Sequence, residues 1–200
     1  MCLTRAAVKV GRSLLGVRSL LVVVAVLTGL GAPSTGAGAA DLPTYDLRVG
    51  SALDRLDAIP ATADLRVVLA TNRVSIQFVP LMPGVYARYN VQRRTIEIDR
   101  RWMEAEPDTL AAVIAHEATH AQDAVSGYLA HGGAAACLDS EVRAFRTSAS
   151  FWLETFGAAG KPDASGDLER QLNQIAQREA WDPVGLESLV QQTYTGQCAH

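Results

Sequence analysis

Pro107-Asp108-Thr109-Leu110-Ala111-Ala112-Val113-Ile114-Ala115-His116-Glu117-Ala118-Thr119-His120 decides the reading of this 200-residue chain. Pro107 and Asp108 stand where a helix starts, and Leu110, Val113, Ile114 and Ala118 recur at the spacing of one buried helical face. The pattern predicts a helix that runs to Val125 or Ser126 and ends at Gly127. On such a helix His116 and His120 lie one turn apart on the same side, where both imidazoles can reach one zinc ion. Glu117, beside the first histidine, can accept a proton from a water on that ion. A single turn thus offers two metal ligands and a general base.

A zinc site needs a third protein ligand, which leaves its fourth position for water or substrate. Asp123, His131 and Glu141 are the downstream candidates. The metzincin spacing is excluded because Asp123 and Ser126 occupy the positions of its glycine and third histidine. Glu141 lies in the stretch Cys137 to Phe145, which opens a second helical pattern continuing through Phe151, Trp152 and Leu153. Between the two helices, Gly127 to Gly133 is punctuated by glycine and long enough to reverse the chain. An antiparallel return brings Glu141, about two turns into the second helix, alongside His120.

With Glu141 as third ligand, His116-Glu117-Ala118-Thr119-His120 followed by Glu141-Val142-Arg143-Ala144-Phe145 resembles the gluzincin metallopeptidases, and small bacterial putative metallopeptidase families look similar over residues 74–157. The stretches Val85 to Asn90 and Arg94 to Asp99, joined by Val91-Gln92-Arg93, read as two alternating strands, similar to the edge hairpin ahead of the active-site helix in small gluzincin-type proteins. The resemblance implies zinc held by His116, His120 and Glu141, with Glu117 as catalytic base. One departure stands out. Thermolysin-like gluzincins carry an aspartate four residues after the glutamate ligand to orient a zinc histidine, and that position here is Phe145. Asp123 or Asp139 is then expected to support a histidine instead.

Elsewhere, Ser51 to Ile59 reads as a short amphipathic helix, and Ala63 to Thr71 as a helix in preference to a strand. Val74, Ile76 and Phe78 alternate with polar neighbours in a half-buried strand ended by Pro80 and Pro83. Gly166 to Arg178 and Pro183 to Tyr194 read as two further helices. The fold class is α+β, with a small antiparallel sheet of about three strands packed against helices. Trp102, Phe145, Phe151, Trp152 and Trp181 are expected in the core, and Tyr89, Tyr128, Tyr194, Arg143 and Arg146 are oxyanion-stabilising candidates that sequence does not rank.

Residues 1–40 read as an export signal: Arg5, Lys9, Arg12 and Arg18, an apolar run from Leu20 to Leu30, then small residues ending Ala37-Gly38-Ala39-Ala40. An uncleaved N-terminal anchor is the alternative. Neither a twin-arginine pair nor a lipoprotein cysteine is present, so general secretion to the periplasm, envelope or medium is the simplest route. Cleavage removes four basic residues and no acidic ones, leaving 14 Lys plus Arg against 21 Asp plus Glu, a formal charge of −7. That balance argues against nucleic-acid binding. Residues 41–200 are enough for one domain with a real core, expected to be a monomer. Cys2 falls in the signal, so Cys137 and Cys198 form an even pair in an oxidising compartment, and their disulfide is expected. It would add roughly 3 to 4 kcal/mol by closing the loop.

The function expected is that of a secreted zinc peptidase, with one zinc per chain and a peptide or protein substrate. Two other readings remain open. One is an exported zinc protein that binds a peptide or cell-envelope partner without turnover. The other is a metal-free helical interaction domain in which the histidine pattern is coincidental.

Overall fold

The computed structural model describes residues 46–199; the expected export signal lies outside the described residues. Six α-helices and a three-stranded sheet follow one another as α1 (Leu47–Asp57), α2 (Ala63–Thr71), β1 (Ser75–Val79), β2 (Ala87–Asn90), β3 (Thr95–Asp99), α3 (Pro107–Val125), α4 (Tyr128–Phe156), α5 (Asp167–Trp181) and α6 (Pro183–Cys198). The α+β class is as expected, and so are all six helices in outline. No helix among the described residues is long and apolar enough to cross a membrane.

The sheet corrects one expectation, since it is mixed rather than antiparallel. β2 and β3 form the expected hairpin, with Tyr89 opposite Ile96. β1 does not pair with β2; it lies on the far side of β3 and runs parallel to it, Ile76 beside Ile96. The physical reason lies in residues 80–86, where Pro80 and Pro83 cannot donate ladder hydrogen bonds. This segment is too stiff for a tight hairpin. It spans two strand spacings, roughly 10 Å, and the gap it leaves is filled by β3.

The turn between the histidine helix and the next is also shorter than expected. Ser126 and Gly127 make it, and Gly127 (φ 76°) takes the left-handed region that glycine enters without steric cost. α4 begins at once with Tyr128 and is kinked at Gly133 (φ 55°, ψ −144°). Counted from that kink, Glu141 is eight residues on, about two turns.

Two apolar clusters result. The larger joins α1, α2, the sheet and α3, with Phe151 and Trp152 of α4 and Leu168 and Leu172 of α5. The smaller lies among α4, α5 and α6 around Phe145, Ile175, Leu186, Val190 and Tyr194. A Cys137–Cys198 disulfide, with Cα atoms 5.6 Å apart, ties the end of α6 to α4 as expected. Trp181 corrects another expectation: at the α5–α6 junction it is 70% exposed, because the helix ends there and nothing packs over it.

Candidate metal centre

α3 is buried around most of its circumference, because α1, α2 and the sheet pack on one side and α4 on the other. His116, Glu117, His120 and Glu141 are therefore all interior, between 1% and 4% exposed. Four ionisable side chains in one dry place cost free energy unless something compensates them.

His116 Nε2 and His120 Nε2 are 3.2 Å apart, and Glu141 Oε2 is 3.7 Å from the first and 3.6 Å from the second. Donors about 2.0–2.1 Å from a tetrahedral ion stand roughly 3.4 Å apart, so this triangle has the size of a metal site. Glu141 Oε2 is buried without a hydrogen-bond partner, although it faces both rings. A buried carboxylate oxygen without a hydrogen-bond donor, set against two ring nitrogens, is a donor set that suits a cation. The group could hold one metal ion.

The other ring nitrogen of His120 decides its tautomer. His120 Nδ1 lies 2.8 Å from Ser140 Oγ, and the Ser140 hydroxyl donates to Asp123 Oδ2 at 2.6 Å. A serine has one proton to give, so Oγ accepts from Nδ1–H and leaves the Nε2 lone pair pointing into the triangle. Arg143 holds Asp123 at 2.7 Å from the outside. Asp123 thus supports a histidine, but through Ser140, a residue the sequence did not single out. A serine next to a glutamate is too common a pattern to signal this. Asp139 supports none; it pairs with Tyr128 and Arg143. Phe145, at the departure from the thermolysin-like pattern, meets His116 edge-on at 4.7 Å between ring centres. It walls the ring rather than hydrogen-bonding it.

Charge follows geometry. Burial alone would raise the Glu141 carboxyl, but the His120 and His116 rings outweigh it and hold it down to about 2. Burial lowers the His116 pKa. His120 is raised, because Glu141 outweighs the effect of burial, helped by Glu117 and Asp123. Glu117 is pushed up to about 8 by burial, against a backbone hydrogen bond from Tyr89 of strand β2. Its Oε2 is unpartnered. It therefore lies beside the triangle, anchored at one oxygen and free at the other.

The remaining candidates are engaged elsewhere. His131 is exposed on the first turns of α4, outside the triad. Tyr128 donates to Asp139 under the Arg143 guanidinium, and Arg146 pairs with Glu179 and Glu187. Tyr89 is buried with its hydroxyl raised by desolvation, and Tyr194 packs on Phe145.

Comparison with protein-family models, curated proteins and solved structures returns no match.

Proposed function

We propose that the chain is an exported, monomeric zinc peptidase of gluzincin type. The observation that carries the reading is the buried, unpartnered Glu141 Oε2 facing both histidine Nε2 atoms, with the free oxygen of Glu117 beside them. Two imidazoles and a carboxylate suit zinc, and leave a fourth position for water or substrate. Contacts along the two helices run in opposite senses, Asp123 to Ser140, His120 to Glu141 and His116 to Phe145, which supports the antiparallel gluzincin pairing of the motif helix and the glutamate helix.

A zinc ion bound there would supply a Lewis acid to polarise a carbonyl oxygen and lower the pKa of a water. His116, His120 and Glu141 would hold it, and Ser140 keeps the His120 ring from turning. With a dication in the triad bringing its carboxyl down from about 8, Glu117 would take the attacking water's proton on Oε2 and return it to the departing amine nitrogen. Strand β2 lies at the sheet edge, where an extended peptide can add its main chain. Glu117→Gln should cut cleavage of a peptide library by roughly 10²- to 10⁴-fold while retaining one zinc per chain. Full-rate cleavage by that variant would refute the role.

A second reading is favoured by one observation. The crevice over His116 and Glu117 is only about 20 Å³, room for about one water. An exported zinc protein that binds a peptide or cell-envelope partner without turnover fits that closure. It predicts stoichiometric zinc and no cleavage of any peptide.

A further inference from the structure

An apolar groove of about 130 Å³ opens between α5 and α6, with Phe145 of α4 at its base. It is built by stripes at helical spacing, Gln171, Gln174, Ile175 and Arg178 on α5 facing Leu186, Leu189 and Val190 on α6. Gln171 and Ile175 also wall the narrow crevice that holds His116 and Glu117, and Phe145 packs edge-on against His116. The groove is therefore the next room to the metal triad.

Its size and its charge are both selective. Apolar cavities of about 150 Å³ take a benzene-sized group, so this one fits a single phenylalanine or leucine side chain. Arg178 is the only charged residue lining the groove, and its exposed guanidinium has no acidic partner among the described residues. Arg146, by contrast, is neutralised by Glu179 and Glu187. An unpaired cation on an apolar wall suits an apolar ligand that carries a carboxylate. α5 rises about 1.5 Å per residue, so Arg178 lies roughly 10 Å along the helix from Gln171, a distance an extended peptide covers in about three residues.

Resting on the peptidase reading, we propose that the α5–α6 groove binds the free C-terminus of a peptide ending in a bulky apolar residue. The terminal side chain fills the groove, Arg178 meets the terminal carboxylate, and the bond two to three residues upstream lies at the mouth of the crevice over His116 and Glu117, which must widen beyond its about 20 Å³ to admit it. The substrate class is then peptides with a free apolar C-terminus, and the product released is a di- or tripeptide.

The test has a binding arm and a cleavage arm. In the first, the zinc-loaded full chain carrying Glu117→Gln is titrated calorimetrically with Ala-Ala-Phe as free acid and as amide. The acid should bind about tenfold more tightly or better. Adding Arg178→Ala should erase that difference, Arg178→Lys should restore part of it, and Leu189→Trp should weaken both forms by filling the groove. Equal binding of acid and amide, or a preference untouched by Arg178→Ala, overturns the proposal. So does decanoate that binds as tightly as the tripeptide acid, since the groove would then be a fatty-anion site.

In the cleavage arm, wild-type chain receives longer peptides ending in phenylalanine, free or amidated. Release of short C-terminal fragments from the free form supports the proposal. Cleavage with no preference for a free end overturns it and leaves the peptidase reading standing. Selective binding of the acid with no cleavage upholds the groove and takes the peptidase reading down.

Discussion

The two apolar clusters are closed in different ways. The larger encloses α3 from several sides, so Leu110, Ile114 and Ala118 reach zero exposure through packing alone. The smaller is a pile of three helices in which α6 buries one stripe, Leu186, Val190, Tyr194 and Cys198, and is tied down by a disulfide. Ion pairs from Arg146 to Glu179 and Glu187 finish that side. The triad straddles the seam, two histidines from the enclosed helix and one glutamate from the helix shared by both clusters. His116, His120 and Glu117 are thereby fixed by the best-packed part of the molecule, while the groove beside them belongs to the looser part.

That contrast can be broken by a pair of equal truncations. Leu110→Ala should cost about 4–5 kcal/mol, and Leu186→Ala about 2–3 kcal/mol because the one-sided α6 can settle into the space. Chemical denaturation measures both, and equal costs would remove the distinction. Next in size is the disulfide. Replacing Cys137 and Cys198 by serine together should cost about 3–4 kcal/mol. Amide exchange should then accelerate in α6 and leave the middle of α3 protected; acceleration in both alike would mean that the clusters fold as one unit.

Ser140→Ala sharpens the seam itself. Without its hydroxyl, His120 Nδ1 loses its partner, and zinc affinity should fall 10- to 100-fold, about 1.4–2.7 kcal/mol in competition with a chelating dye. Unchanged affinity would show that ring orientation comes from packing alone. The smallest effect is expected at Trp181→Ala. With 70% of the residue exposed, stability should move by no more than about 0.5 kcal/mol. A larger loss would place that tryptophan inside the second cluster after all.

Much of this was legible in the chain. Leu110, Val113, Ile114 and Ala118 mark α3, and the alternation around Tyr89 and Ile96 marks the hairpin, because both periods are local consequences of burying one face. The side of β3 on which β1 lies was not legible, since parallel pairing is decided by how the segment with Pro80 and Pro83 crosses the sheet. The glycines misled over residues 127–133. Only Gly127 and Gly133 leave helical geometry, while Gly132 stays in the helix. Trp181 misled because aromatic size predicts burial only where a neighbouring element exists to cover it. At the site, His116, His120 and Glu141 were brought together as their spacing suggested. Ser140 was invisible, because one hydroxyl acquires a role only when the fold sets it between His120 and Asp123.

The most direct measurement is the metal content of the purified chain by elemental analysis, wild type beside His120→Ala and Glu141→Ala. One zinc per wild-type chain, lost in both variants, is the result predicted by a triad shared between α3 and α4. Wild-type protein that holds no zinc after reconstitution, or a Glu141→Ala variant that keeps it in full, would contradict the account.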